Sequence, residues 1–177
     1  MGDIADMLAV QGELDEALRI RREEELPVYE RLGELRQTAI TMGKIADVLQ
    51  ARGELDEALR IRREEQLPIL ERLGDQRSRS VALQKIGAAL LEAHGFEQEH
   101  RQEIIDALFE SFDIARRLDL PDGIAIVGSM LGRLLAAAGH SDAEHVMKMA
   151  AGAYKKLGNA EASAQLYCLI TETEKEE

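Results

Sequence analysis

Apolar residues recur along the chain at the three- and four-residue spacing of an α-helix, in segments that end at a glycine. In residues 42–53 the apolar positions are Ile45, Val48 and Leu49, and Gly53 closes the segment. This spacing predicts one buried face per helix, and glycine suits the left-handed position after a helix end. Along the whole chain the pattern predicts an all-α protein with helices at about residues 2–11, 13–33, 35–52, 54–74, 77–94, 97–118, 122–138, 141–157 and 160–174.

The thirteen-residue segment GELDEALRIRREE occurs at residues 12–24 and again at residues 53–65. Residues 1–41 align with residues 42–82 without a gap, and 26 of the 41 positions are identical. A helical unit copied at a fixed spacing is typical of stacked repeats, in which neighbouring units bury a continuous core. We therefore expect a single domain over residues 1–177, with four helix pairs at about 1–41, 42–82, 83–125 and 126–159 and a capping helix at 160–174.

The predicted helices carry start signals as well as end signals. The second helix of the first two repeats opens with the acidic turn ELDEA, where carboxylates offset the positive end of the helix dipole. In the fourth repeat Ser141 and Glu144 have the spacing of a capping box. Apolar residues of the last helix lie on one side, so this helix is expected to cover the final face of the array.

The helix pairs share a set of packing positions. Each first helix carries a large residue followed by a small one, at Ile4–Ala5, Ile45–Ala46, Ile86–Gly87 and Leu131–Gly132. Gly12 and Gly53 lie at the turns, and Ala17 and Ala58 follow in the second helices. This arrangement resembles the tetratricopeptide repeat (TPR). The 41-residue period and the endings RLGE, RLGD and KLGN are similar to the long-repeat class of that family, although aliphatic residues replace its aromatic ones.

The resemblance implies a TPR-like α-solenoid whose first helices line a concave groove. Counted from the large residues, the outward groove positions are Gly2, Asp6, Ala9, Gly43, Asp47, Gln50, Gln84, Ala88, Leu91, Ser129, Arg133 and Ala136. The residues expected to contact a partner are Asp6, Asp47, Gln50, Gln84, Leu91, Ser129 and Arg133. The best-known TPR groove grips a chaperone C-terminal carboxylate with lysine and asparagine, whereas Asp6 and Asp47 occupy such positions here. Chaperone-tail binding is therefore disfavoured.

The resemblance also implies a class of function. TPR arrays are protein–protein interaction modules, and the long-repeat class commonly resembles the sensor or adaptor part of multidomain bacterial signalling proteins. We therefore expect a non-enzymatic scaffold that binds a peptide or protein segment in its groove, within a larger signalling assembly. The alternative is a structural repeat fragment whose main contact is with copies of itself.

The charge of the chain narrows its possible partners. The formal net charge is −12, and nucleic-acid or anionic-membrane binding needs a basic surface. A neutral or basic partner fits this balance. No apolar run is long enough to span a bilayer, and the acidic N-terminus is unlike a secretion signal. With one cysteine there is no intramolecular disulfide, so a reducing cytoplasmic location is expected.

No group of residues in the sequence has the spacing of a catalytic, cofactor or metal site. His140 and His145 are five residues apart rather than the four that place two ligands on one helical face. Cys168, among apolar neighbours, is expected to be a small buried residue. The run RIRREE is expected to be a solvated face, with pairs such as Asp15–Arg19 and, in the second copy, Asp56–Arg60.

Two further expectations concern the first repeats. Pro27 and Pro68 interrupt the second helices, so a kink or wide turn is predicted there, with the preceding Leu26 and Leu67 away from helical angles. The first pair has no capping helix before it. Its outer side is therefore expected to be an association surface, either for a longer array or for a homodimer, while Ile4 and Leu8 pack inward.

Overall fold

The structure of the chain, a computed structural model, describes residues 2–173. These residues form nine helices and no strand. The helices are α1 (Gly2–Gln11), α2 (Leu14–Arg19, Ile20–Glu25 and Leu26–Leu32), α3 (Leu35–Ala51), α4 (Leu55–Arg60, Ile61–Gln66 and Leu67–Leu73), α5 (Gln76–His94), α6 (Gln98–Arg117), α7 (Pro121–Ala137), α8 (Ala143–Lys156) and α9 (Ala160–Thr173). The predicted bounds lie within two residues of these, and residue 174, the predicted last residue of the final helix, lies outside the described residues.

The glycines predicted to end helices do so. Gly53 has φ 79° and Gly95 has φ 63°, which L-residues with a side chain rarely adopt. After α3 the Gly53 N–H donates to the Gln50 carbonyl and the Glu54 N–H to the Leu49 carbonyl, both at 2.9 Å. This is the Schellman arrangement, and it satisfies carbonyls that the helix end leaves without partners.

The chain divides into two compact units between Ala82 and Leu83, the border of the second and third repeats. In the first unit the main hydrophobic core lies between the four helices α1, α2, α3 and α4. Its buried members are Ala17, Leu18, Met42, Ile45, Ala46, Val48, Leu49, Ala58 and Ile61. The alanines at the two predicted packing positions are fully buried, which allows the second helix of each pair to approach the first closely.

The helices α2 and α4 each contain one wide turn directly before a proline. Residues Ile20–Glu25 and Ile61–Gln66 are π-helical, and the Leu26 N–H donates to the Arg21 carbonyl five residues back. The wide turn that the sequence predicts is therefore present in both helices. The prediction that the residue before each proline leaves helical angles is wrong: Leu26 has φ −57° and ψ −48°. Pro27 instead lies in the first turn of the next α-helical segment, where a missing N–H costs little.

In the second unit, glycines on the first helices permit close packing. A Cβ at Gly87 would lie 2.7 Å from Leu108 Cγ, and one at Gly132 would lie 2.4 Å from Met147 Cγ. A Cβ at Gly128 would lie 2.7 Å from the Phe112 ring. The helices α6 and α8 therefore pack against α5 and α7 at distances that exclude a side chain at these positions.

Two local predictions are wrong. Cys168 is exposed, because it lies on the opposite side of α9 from the buried Leu166 and Ile170. Ser141 and Glu144 form no capping box: α8 begins at Ala143, with Asp142 as its N-cap and no side-chain cap bond. Instead, the Asp142 N–H donates to His140 Nδ1 at 3.2 Å.

Candidate interaction surface

The first unit presents Asp6, Asp47 and Gln50 on its first helices. The carboxylates of Asp6 and Asp47 are each about half exposed, at equivalent positions one repeat apart. Gln50 lies one turn beyond Asp47 on α3 and is partly buried. The surface predicted as a partner site is thus accessible in this unit.

A buried arginine holds the carboxylate of Asp6. Arg21 of α2 is only 2% exposed, and its Nη2 donates to Asp6 Oδ1 at 2.5 Å. Its Nη1 donates to the buried Glu25 at 3.3 Å. Lys44 of α3 reaches Asp6 Oδ2 at 2.6 Å. Asp6 therefore joins three helices, and its charge is compensated by two cations.

The second repeat reproduces the arginine–aspartate pair with a different neighbour. Arg62, also 2% exposed, donates to Asp47 Oδ1 at 2.6 Å. Gln66 replaces Glu25, and its Nε2 donates to the Ala39 carbonyl at 3.1 Å. The expectation that the run RIRREE is a solvated face is therefore wrong for its central arginine in both copies. The signal was present, since Arg21 and Arg62 lie four residues after the packing alanines.

The compensating cations change the acidity of this surface. Hydrogen bonding from Lys44, opposed by partial desolvation and assisted by Arg21, holds the pKa of Asp6 below its usual value. The carboxylate therefore stays ionised at neutral pH, but neighbouring cations compensate its charge. Net negative charge at the first-helix surface is smaller than the sequence suggests.

Other charged residues of the first unit pair differently from the sequence prediction. Arg19 binds Glu16 at 2.7 Å rather than Asp15. Asp15 instead pairs with Arg52 of α3 at 2.8 Å. In the second repeat Arg60 binds Glu57 at 2.8 Å, which is the equivalent of the pair between Arg19 and Glu16.

Gly43 does not face outward, as the groove count predicts, but is buried against α4. A Cβ at this position would lie 2.4 Å from Gln66 Nε2. The predicted outward position of Gly43 is wrong because the Gln66 side chain occupies the space next to α3. Gly43 is therefore a packing residue and leaves Asp47 and Gln50 as the accessible positions on α3.

In the second unit the predicted surface is less charged. Gln84 and Leu91 of α5 are partly buried, and Ser129 of α7 donates its hydroxyl to the Ile126 carbonyl at 2.9 Å. Arg133 of α7 is exposed. These residues of the second unit comprise one cation, one amide, one hydroxyl and one apolar side chain.

The same unit also contains a cavity away from those four residues. It has a volume of about 420 Å³ and lies between α6 and the turn from α7 to α8. Phe109, Phe112 and Val146 supply apolar lining, and His140 and His145 supply polar lining. No spacing in the sequence indicates this cavity, because its residues belong to separate repeats.

Among residues 2–173, histidine, cysteine and carboxylate side chains form no group of three or more that could hold a metal ion. No helix in this range has the length and apolarity needed to cross a bilayer.

Known proteins resemble this one in fold. No protein-family model and no curated protein sequence matches the chain. Among solved structures, the nearly identical TPR-like repeats of a protein assigned as a kinesin light chain in Podosopora anserina share 17% identity at a TM-score of 0.62, over 99% of this chain and 93% of that one. BtubC (BKLC) from P. vanneervenii shares 16% identity at a TM-score of 0.65, over 97% and 77%.

A third similar structure is that of the MamA protein, with 18% identity and a TM-score of 0.52 over 98% of this chain and 89% of that one. Together with the paired helices and the packing alanines, these matches define a helical-repeat protein. Its fold is of the TPR type, as the sequence predicts.

Proposed function

We propose that the chain is a non-enzymatic interaction module that binds a neutral or basic peptide segment along the first helices of its repeats. It would serve as a scaffold, adaptor or sensor part of a larger signalling assembly. The contacts would come from Asp6, Asp47 and Gln50 in the first unit and from Gln84, Leu91, Ser129 and Arg133 in the second.

One observation carries this proposal. Asp6 and Asp47 occupy equivalent positions, and each half-exposed carboxylate is fixed by an arginine that is itself buried. A carboxylate has acceptor capacity for more than one donor. Two acceptors held at a repeated position suit the amides and side-chain donors of an extended peptide, because little side-chain entropy remains to be lost on binding.

A peptide selection tests the proposal. A display library of linear peptides is selected against the whole chain, and the recovered peptides are titrated against Asp6→Asn/Asp47→Asn at low and high salt. We expect weaker binding to the double variant, because neutral amides do not attract a basic donor, and a decrease with salt. Thermal melting of the variant separates loss of binding from loss of folding.

The matched control is Asp56→Asn/Asp106→Asn, which removes two other exposed carboxylates. This variant should bind the recovered peptides as the natural chain does. Equal binding by both double variants, or tightest binding of an acidic peptide, would contradict the proposal.

Self-association through the first repeat is a second candidate. It is favoured by the exposure of Ile4 and Met7 on α1. The prediction that Ile4 packs inward is wrong, because this side chain is 51% exposed. Light scattering over a concentration series tests it. Because Leu8 packs against the core, the suitable variant is Met7→Lys, and a dimer that this change dissociates would support self-association.

A further inference from the structure

The cavity between α6 and the turn from α7 to α8 has the size of a small-molecule site. Its volume is about 420 Å³, and pockets that enclose a small ligand have volumes of about 300–1,000 Å³. An engineered cavity of about 150 Å³ holds one benzene ring, so a molecule of about two or three rings fits here. The walls of the cavity come from the third and fourth repeats, so it lies inside the array.

The cavity is open because a short side chain lies at the turn. Gly53 and Gly139 end their helices in the same way, each donating its N–H to the carbonyl three residues back at 2.9 Å. In the first unit the residue before this glycine is Arg52, which crosses to Asp15 of α2 at 2.8 Å. In the second unit the equivalent residue is Ala138, which lines the cavity. No long side chain therefore crosses from this turn to α6.

The apolar wall of the cavity is firmly packed on one side and exposed on the other. Phe112 and Val146 are 4% and 5% exposed, and a Cβ at Gly128 would lie 2.7 Å from the Phe112 ring. Phe109, one turn earlier on α6, is 55% exposed. An apolar ligand that fills the cavity would remove part of this ring from water, which favours binding.

A cation with unused donors lies at the end of the cavity formed by α6. Arg116 lines the cavity, and its Nη2 is 3.7 Å from Asp113 Oδ1, which is too long for a hydrogen bond. Arg117 Nε is closer to that aspartate, at 3.1 Å. In the described part of the chain the Arg116 guanidinium makes no hydrogen bond, so it can bind a carboxylate or sulfonate through parallel N–H groups.

The surroundings of Arg116 are basic, although the chain has a net charge of −12. Arg116 also lines a neighbouring cleft of about 280 Å³, together with Lys148 and Lys156 of α8. Among the described residues that line this cleft, Asp119 is the one acid. The positions of Arg116 and Lys156 in the last turns also stabilise the ends of their helices. An anionic group is therefore favoured where the cavity meets the cleft.

The turn side of the cavity has the opposite preference. The Asp142 N–H donates to His140 Nδ1 at 3.2 Å, so the neutral ring carries its proton on Nε2. The Asp142 carboxylate lies 3.8 Å from the same Nδ1 and is mostly exposed. This carboxylate repels an anion, so the acid group of a ligand is directed toward Arg116 and away from the turn.

From these observations we propose that the cavity binds a small amphipathic organic anion. Its apolar body, of about two or three rings, lies against Phe109, Phe112 and Val146, and its carboxylate or sulfonate binds Arg116. The site shares no residue with the first-helix surface proposed above to bind a peptide, so either proposal can fail alone.

Two fluorescent dyes with the same rings test the inference. Anilinonaphthalene sulfonate carries a sulfonate, and phenylnaphthylamine is its uncharged counterpart. Both are titrated against the whole chain, and we expect the sulfonate to bind several-fold more tightly because only it can accept the Arg116 donors. Arg116→Gln should weaken the sulfonate several-fold and leave the neutral dye unchanged. A variant that had lost its fold would change the binding of both dyes.

A second variant tests the cavity itself. Ala138→Phe places a ring in the space that Ala138 leaves open and should weaken both dyes several-fold. Because Ala138 is exposed, this variant should keep the melting temperature of the natural chain. Arg72→Gln, which removes an exposed arginine of α4, is the matched control and should bind both dyes as the natural chain does.

Backbone amide chemical shifts locate the bound sulfonate dye, because exposed apolar residues elsewhere can also attract it. We expect the largest shifts in α6 and in residues 138–146. Three results would overturn the inference: equal affinity for the two dyes, sulfonate binding that neither Arg116→Gln nor Ala138→Phe weakens, and chemical-shift changes confined to other helices.

Discussion

Arg62 Nη2 lies 2.6 Å from Asp47 Oδ1, although the arginine is almost fully buried and the carboxylate is half exposed. The same relationship joins Arg21 to Asp6 in the first repeat. Each pair links the second helix of a repeat to its first helix beneath the surface. In each of these two repeats, the aspartate side chain therefore contributes both to the packing of the helix pair and to the proposed contact with a partner.

Removing Asp47 should destabilise the protein more than removing Arg62. Asp47→Ala leaves a buried cation without its carboxylate and should lower the free energy of unfolding by about 1–3 kcal/mol. Arg62→Met should cost less, because the apolar stem is replaced and Asp47 can turn to water. Urea denaturation of both single variants and the double variant measures their coupling. Asp56→Ala, an exposed carboxylate of the same repeat, is the control and should stay within about 0.5 kcal/mol. A loss for Asp47→Ala no larger than for this control would contradict the buried pair.

The stabilisation from Asp6 should depend on pH in the acid range. The pKa of Asp6 is lower in the folded chain than its usual value, and an aspartate in the unfolded chain has a pKa of about 3.9. The carboxylate therefore stabilises the fold above that value, and the contribution is lost as pH falls through the lower folded pKa. The melting difference between the natural chain and Asp6→Asn should be constant from pH 7 to about 5 and shrink below about 4. A difference that disappears already at pH 6 would show that another group is responsible.

Two helical glycines of the second unit should respond oppositely to alanine. A Cβ at Gly132 would meet Met147 Cγ at 2.4 Å and the Met147 backbone nitrogen at 3.2 Å, so Gly132→Ala should cost about 1–3 kcal/mol. At Gly152 of α8 a Cβ would meet nothing within 4 Å. Gly152→Ala should therefore stabilise by about 0.5–1 kcal/mol through helix propensity. Thermal or urea unfolding checks the opposite signs, and equal effects would disprove the close contact at Gly132.

Cys168 should react in the native protein. Its exposure on α9 predicts that a water-soluble thiol reagent modifies it fully without denaturant. The reaction rate should rise only modestly in urea, and the modified chain should keep its helical circular dichroism signal. Protection of the thiol until the chain unfolds would contradict the exposed position.

The sequence predicts the helices well because local signals determine them. Gly53 and Gly95 end their helices at positive φ, and the packing alanines Ala17 and Ala58 are buried as the repeat pattern requires. These signals depend on residues that are close to one another in the chain, so they can be recognised without knowledge of tertiary contacts.

The polar interior could not be predicted in the same way. A hydrophobic pattern assigns Arg21 and Arg62 to water. The carboxylates of Asp6 and Asp47, fifteen residues earlier on another helix, make their burial acceptable. The prediction that Cys168 is buried is wrong for a similar reason. Its neighbours are apolar on both sides, and only the packing of α9 decides which side faces the core.

The wide turns in α2 and α4 have a consequence for how long a repeat helix can be. In α4 the buried residues Ala58, Arg62, Gln66 and Leu70 follow at four-residue spacing. In an ideal α-helix this spacing drifts around the axis by about 40° per step. The π turn at Ile61–Gln66 winds more slowly than an α-helix and reduces this drift. The π turn therefore keeps the buried residues on one side of the helix, so that both ends of a long helix can face the same neighbour. A repeat of this length thereby retains one continuous contact seam without the supercoiling that an uncorrected stripe would require.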